Sequence, residues 1–151
     1  MLYDATRLPW VPLSPNMPTL TTALLYPGLG LLEGTSMSEG RGTCTPFQSV
    51  GAPWLTWRFA EAMSSAGLPC VSFREAYYIP TFSKWQVTAP QPQSGCVPVQ
   101  RSQQLQGNIT AGVSALVDEP ACLDALPLGI TVIAVALQQV RASVRAQAAA
   151  T

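Results

Sequence analysis

The sequence predicts a mixed α/β (α+β) domain in which a small sheet is packed by helices. Three observations predict it: apolar residues at helical spacing from Pro53 to Ala66, a Val-, Phe- and Tyr-rich run over Cys70–Tyr78, and helical periodicity again through Ile130, Ile133, Ala134, Leu137 and Val140 or Val144. A chain of 151 residues with 48% hydrophobic content is long enough to enclose one core and short for two domains.

The elements follow from local chemistry. Ser14-Pro15-Asn16-Met17-Pro18-Thr19 holds extended backbone before each proline and then offers Asn16 as a helix cap, so a short helix is expected from about Thr19 to Tyr26. Pro27-Gly28 should stop it, and the apolar run Leu29–Leu32 reads as a buried strand. A polar loop, Glu33–Thr43, comes next. Pro53 opens the second helix, with Leu55, Phe59, Ala62, Met63 and Ala66 on one face and Gly67 as its left-handed stop. Cys70–Tyr78 is the second strand.

Three zones divide the chain: a motif-bearing part (1–84), a loop-rich, disorder-prone stretch of Gln, Pro and Ser (85–112) whose one expected strand lies near 96–100, and a helical completion of the same domain (113–151). The final Ala-rich residues are expected to fray. Leu126–Leu137, the longest apolar run, is well short of the about 20 residues a bilayer needs and contains Pro127 and Gly129, so it reads as a core helix, with no membrane span. The N-terminus shows no secretion signal.

Composition excludes several chemistries. With 8 Lys+Arg against 8 Asp+Glu and no cluster of either, nucleic acid is not an expected partner. The chain has no His, so Ser-His-Asp and Cys-His mechanisms cannot be assembled from it, and no metal or cofactor is implied. Cys44, Cys70, Cys96 and Cys122 are evenly spaced, but their flanks differ and no CxxC pair occurs; buried thiols or one disulfide fit better than a four-sulfur metal site. A charged fraction of 11%, against roughly 25% in typical soluble domains, suggests a surface meant to be covered by something else.

Chemistry concentrates in Glu33–Thr43: two carboxylates, one guanidinium, four hydroxyls and three glycines in eleven positions. Glycine lets backbone approach a ligand, and Arg41 offers a fork of donors for a carboxylate or several hydroxyls. Glycoside hydrolysis runs on two carboxylates about 5 to 9.5 Å apart without histidine or metal, which makes Glu33 and Glu39 the candidate catalytic groups. The alternative is a self-satisfied loop in which Arg41 pairs with Glu33 or Glu39 and binds nothing. Trp10, Trp54, Trp57, Tyr77 and Tyr78 could stack on a sugar ring, although an aromatic at any one position is more often core. Arg74-Glu75 and Lys84 are further polar candidates whose simpler role is a salt bridge.

The segments WVPLSPNMPTLTTALLYPG, LLEGTSMSEGRGT, PFQSVGAPW and FREAYYIPTFSK, in order from Trp10 to Lys84, resemble the C-terminal domain of the NamZ family of peptidoglycan exo-β-N-acetylmuramidases. The resemblance weakens at 95–100 and in the helix from Pro127 to Val140. It implies removal of terminal N-acetylmuramic acid from peptidoglycan fragments, outside the cytoplasm, across a cleft between this domain and a Rossmann-like N-terminal domain. By position, it implies that Asn16, Glu33, Ser38, Glu39, Arg41 and Thr43 line that cleft. Arg41 suits the lactyl carboxylate that distinguishes muramic acid from glucosamine. The chain departs from the family pattern after Lys84, where two histidines are missing, and no Rossmann-like region is present. The expectation is a partial glycoside hydrolase, inactive without its N-terminal domain; the alternative is a non-catalytic cell-wall-sugar-binding or protein-interaction module.

Overall fold

The computed structural model describes residues 2–81 and 108–149. It is a mixed α/β domain whose elements, in chain order, are a short N-terminal 3-10 turn (Tyr3–Thr6), helix α1 (Leu20–Leu29), a 3-10 helix (Gly30–Gly34), strand β1 (Ser49–Ala52), helix α2 (Trp57–Ser65), strands β2 (Val71–Tyr78) and β3 (Thr110–Val117), and helix α3 (Ala125–Ala149). The sheet is antiparallel throughout, in the order β1-β3-β2. The strand expected at 96–100 lies outside the described residues.

Helix α1 is capped by Thr19, whose hydroxyl accepts the Thr22 N–H at 3.2 Å. Asn16 does not cap it: the residue sits in a turn closed by Met17 N–H to Ser14 C=O at 2.9 Å, three residues too early. The helix also does not end at Pro27-Gly28. It runs through Pro27 to Leu29, and Gly28 is where α1 and α3 cross. A Cβ at Gly28 would lie 1.6 Å from the Ala125 carbonyl oxygen, and one at Gly129 would lie 2.2 Å from the Gly28 carbonyl oxygen. The two helices therefore touch backbone to backbone, and glycine is the residue that permits it.

Leu29–Leu32 is not a strand. Leu25, Leu29 and Leu32 are all fully buried at a spacing of four and then three, while Leu31 points outward, which is helical geometry carried through the end of α1 into the 3-10 helix. A run of four apolar residues does not by itself distinguish a buried strand from a helix end.

Helix α2 begins later than Pro53, with Thr56 at its N-cap, and buries Phe59, Ala60 and Met63. Gly67, at φ +65°, turns the chain out of it as expected. Strand β2 follows, and Cys70 at its start is disulfide-bonded to Cys122, with Cα atoms 6.0 Å apart. Cys44 is free and exposed.

The central strand β3 falls where the sequence predicted first loop and then helix. Thr110–Val117 pairs with β1 from Ser49↔Ser114 to Ala52↔Ala111, and with β2 from Val71↔Val117 to Tyr78↔Thr110. Its Ala, Gly and Ser residues have weak intrinsic strand preference and the strand is buried along most of its length, so the alternation that marks a half-exposed strand is missing.

Asp124 accepts the Leu126 N–H at 3.2 Å at the start of α3. The helix runs 25 residues, and the Ala-rich end remains helical to Ala149. Leu128, Val132, Val135 and Ala136 are buried and join the core of Leu25, Leu29, Val50, Phe59, Met63 and Val113. By length and composition alone α3 could cross a membrane, but a third of its most apolar stretch is already buried inside the domain.

Candidate functional site

The segment after the 3-10 helix is tied to the sheet before it can act as a free loop. Ser38 forms an antiparallel bridge with Gly51: its N–H donates to Gly51 C=O at 2.7 Å, and Gly51 N–H donates back to Ser38 C=O at 3.0 Å. Gly40 then takes φ +80°, where a Cβ would lie 2.6 Å from the Ser49 carbonyl oxygen. The turn is closed by Thr43, whose N–H and hydroxyl both donate to Gly40 C=O at 3.1 and 2.6 Å. From the other side, the Thr81 N–H and hydroxyl donate to Gly42 C=O at 3.0 and 2.9 Å, tying the end of β2 to the same turn. Hydroxyls of Thr45, Ser49 and Ser114 continue the clamp at 2.8 and 3.1 Å.

This scaffold brings three of the six predicted site residues together. Arg41 donates from Nη2 to Glu33 Oε1, and its Nε lies 3.4 Å from Glu39 Oε1. The second contact is within ion-pairing distance but outside hydrogen-bonding geometry. The environments differ: the Glu39 side chain is 2% exposed, whereas Arg41 and Glu33 are 26% and 34% exposed. One guanidinium thus spans a buried carboxylate and a solvent-facing one. Its carbon sits 5.1 Å over the ring of Phe47, which meets Tyr26 edge-on at 4.9 Å.

The other predicted residues play different parts. The Ser38 hydroxyl accepts the Gly40 N–H at 3.1 Å, so Ser38 and Thr43 spend these hydroxyl contacts on shaping the turn. Asn16 stays in the Ser14–Met17 turn, where its N–H donates to Ser14 Oγ at 3.2 Å, and its side chain is not brought into the Arg41 ion pairs. Arg74 and Glu75 do not pair, because consecutive strand residues point to opposite faces; the Tyr77 hydroxyl donates to Glu75 instead. Lys84 lies outside the described residues.

Two residues at the site carry signals that sequence reasoning did not use. Phe47 is almost fully buried at φ +57°, a left-handed conformation that is costly for a bulky side chain. Tyr78, read from the sequence only as a stacking aromatic, has a buried hydroxyl without a well-formed hydrogen bond. Burial pushes its phenol pKa up; the nearby Ser38 hydroxyl opposes the shift and the Glu39 charge adds to it. The aromatic residues do not form one stacking face. Trp10 packs edge-on against Tyr3, with centroids 5.5 Å apart, while Trp54, Trp57 and Tyr77 are exposed.

Beside the loop lies an open groove of about 620 Å³. Thr35, Ser36 and Met37 form one wall, and Trp54 with Ile133, Leu137, Val140 and Val144 of α3 form the rest. Its lining is mainly apolar, and it shares the 33–43 segment with the ion-pair cluster without including the charged side chains.

Residues 24–149 match the family described as exo-beta-N-acetylmuramidase NamZ, C-terminal. The chain is 52% identical over 89 residues to the peptidoglycan beta-N-acetylmuramidase NamZ of Bacillus subtilis, a stretch covering 58% of this chain and 22% of that protein. It superposes on the crystal structure of a DUF1343 family protein from Bacteroides fragilis with a TM-score of 0.67 at 25% identity, covering 96% of this chain and 32% of the other. The matched region thus spans between a fifth and a third of these relatives. With the family matched over most of its length, this chain belongs to the NamZ C-terminal domain family.

Proposed function

We propose that this chain is the C-terminal, substrate-facing domain of a muramidase-type glycoside hydrolase acting on peptidoglycan-derived sugars, with 1–84 and 113–151 as parts of one such domain. The observation that carries the reading is Arg41, held between Glu33 and Glu39 on a loop that borders an open groove. In this proposal a Rossmann-like N-terminal domain supplies the opposite wall of the cleft, and the chain by itself is inactive.

The charges suggest how the site would work. Arg41 with Glu33 and Glu39 sums to one negative charge, so a lactyl carboxylate does not simply add to the cluster. It would displace Glu33, the more exposed partner, and take its place on the guanidinium, while Glu39 stays to hold Arg41. Displacement frees Glu33 to act as the acid or base of glycosidic cleavage, which needs a carboxyl group that can approach the sugar oxygen. Ser38 and Thr43 contribute through the turn they hold, and Asn16 belongs to the cleft wall.

The test is hydrolysis of a chromogenic N-acetylmuramide by the purified chain, alone and mixed with the N-terminal portion of a relative. Activity in the mixture only is the expected result; hydrolysis by the chain alone, or by neither preparation, counts against the reading. In an enzyme assembled with this domain, Arg41→Lys should reduce the preference for muramic over glucosamine substrates, and unchanged selectivity would remove the lactyl role.

The second reading, a non-catalytic cell-wall-sugar-binding or protein-interaction module, is favoured by the same internal pairing of Arg41, which leaves the loop satisfied without a ligand. Binding of muramic-acid sugars without turnover in the mixture would select it.

A further inference from the structure

Tyr78 carries a hydroxyl that the resting fold does not use. Its oxygen is buried without a well-formed hydrogen bond, and a phenylalanine would fill the same space without the cost of desolvating that group. The sheet explains how the side chain comes to lie there. Ser38, Gly51, Gly112 and Ala76 stand opposite one another across the strands, and Tyr78, two residues beyond Ala76, shares their face. The two glycines put no side chain between Tyr78 and Ser38, and the bonds from Thr81 to Gly42 draw the end of β2 against the Gly40 turn. The hydroxyl thereby comes beside Ser38 and close enough to Glu39 to feel its charge. Glu39, at 2% exposure, is the most deeply buried charge of the Arg41 cluster.

We infer that Tyr78 is a positioning residue for Glu39, its hydroxyl a reserve donor that takes up the buried carboxylate when an anion joins Arg41. The inference rests on the proposed function and deepens it, because the anion is the lactyl carboxylate of that reading. At rest the Arg41 guanidinium faces both Glu33 and Glu39, and the three groups sum to one negative charge. An incoming carboxylate raises that sum to two. Glu33 can answer the repulsion by moving into solvent, but Glu39 is too deep to leave or to gain water. A phenol O–H beside it supplies a charge-assisted hydrogen bond by rotation about its own C–O bond, with no backbone movement. A polar group that weakens the resting fold and strengthens the loaded one is the pattern expected where stability is given up for function. Tyr78 touches no substrate in this account; it acts through Glu39 on Arg41.

Arg41→Met brings the cluster to the same two negative charges with no ligand present, so a double-mutant cycle in the 151-residue chain tests the inference by urea unfolding. Tyr78→Phe alone should leave the folding equilibrium constant within about twofold of the parent or raise it, whereas in the Arg41→Met background it should lower that constant at least about tenfold. Adding Glu39→Gln should abolish the difference between the two backgrounds, since the carboxylate to be held is gone. Arg41→Gln, which removes the same charge, replaces Arg41→Met if that variant does not fold. Equal effects of Tyr78→Phe in the two backgrounds, or coupling that survives Glu39→Gln, would overturn the inference. In an enzyme assembled with this domain, Tyr78→Phe should raise KM for an N-acetylmuramide at least about threefold and leave KM for the matching glucosaminide unchanged, because that sugar brings no carboxylate. An equal change for both sugars, as loss of a merely structural residue would give, also overturns it. If the assembled enzyme cleaves neither sugar, the proposed function fails, and the substrate-free cycle still decides the role of Tyr78.

Discussion

Arg41 rests with its guanidinium carbon 5.1 Å over the ring of Phe47, and Phe47 reaches that position only by adopting φ +57°. Left-handed backbone at a bulky residue costs on the order of 1–3 kcal/mol and persists where surrounding contacts over-determine it. Here those contacts are the Phe47 N–H bond to Glu39 C=O at 2.7 Å, the edge-on Tyr26 ring and the cation above.

Removing that arginine should expose the cost of the buried acid. Arg41→Met leaves Glu39 at 2% exposure without its counter-charge, and a loss of about 2–4 kcal/mol is expected in urea unfolding. Adding Glu39→Gln to the same chain should return at least about 1 kcal/mol, since an amide is cheaper to bury than an uncompensated carboxylate. A single variant as stable as the parent would show that the ion pair is ornamental.

The helix crossing makes a sharp contrast between two neighbouring glycines. Gly28→Ala would put a methyl 1.6 Å from the Ala125 carbonyl oxygen, so α1 and α3 must separate; a loss above about 2 kcal/mol, or failure to fold, is expected. Gly30 has ordinary helical backbone, with φ −61°, and a Cβ added there would meet nothing closer than the Tyr26 ring at 3.6 Å. Gly30→Ala should be neutral or gain up to about 1 kcal/mol. Thermal unfolding of the two variants side by side decides whether the crossing is as tight as described.

The disulfide between Cys70 and Cys122 joins residues 52 apart and fastens the start of β2 to the segment leading into α3. Cys122→Ser should cost roughly 2–4 kcal/mol, and a reducing agent should lower the melting temperature of the parent to that of the variant. Equal melting temperatures with and without reductant would mean that the bond contributes nothing.

Tyr78 gives a pH dependence with a definite sign. Its phenol pKa is raised in the folded chain, by burial first and with the Glu39 charge adding, above the ordinary 10.0 that it regains on unfolding. The stabilisation is therefore complete below about pH 10 and is lost as pH rises through the higher folded value, because the unfolded chain gives up the proton first. Urea midpoints of the parent and Tyr78→Phe, compared from about pH 8 to 11, should diverge only above about pH 10, with the parent falling faster by up to about 1.4 kcal/mol per pH unit. At about pH 8 the variant should be as stable as the parent or slightly more so, since the hydroxyl it removes is buried without a good partner.

Local chemistry was enough to read α2, with Phe59 and Met63 inward and Gly67 at its end, and β2 with its aromatic residues, because each carries its own periodicity and stop signal. It was also enough to mark Glu33–Thr43 as the stretch where charge concentrates, since charge is scarce elsewhere in the chain, although Glu33 and Gly34 belong to the 3-10 helix and the loop proper starts at Thr35. What required the tertiary structure was every feature whose cause lies far away in the sequence. Pro27-Gly28 looks like a helix stop until α3 crosses it, and Leu29–Leu32 looks like a strand until its leucines are seen facing one core. Thr110–Val117 looks like loop and helix until β1 and β2 pair with it on both sides, because small residues express no strand preference of their own. The sharing of Arg41 between Glu33 and Glu39 was likewise decided in three dimensions: the sequence placed the three charges close together, and only the Ser38–Gly51 bridge and the turn at Gly40 set which carboxylate is buried and which faces solvent.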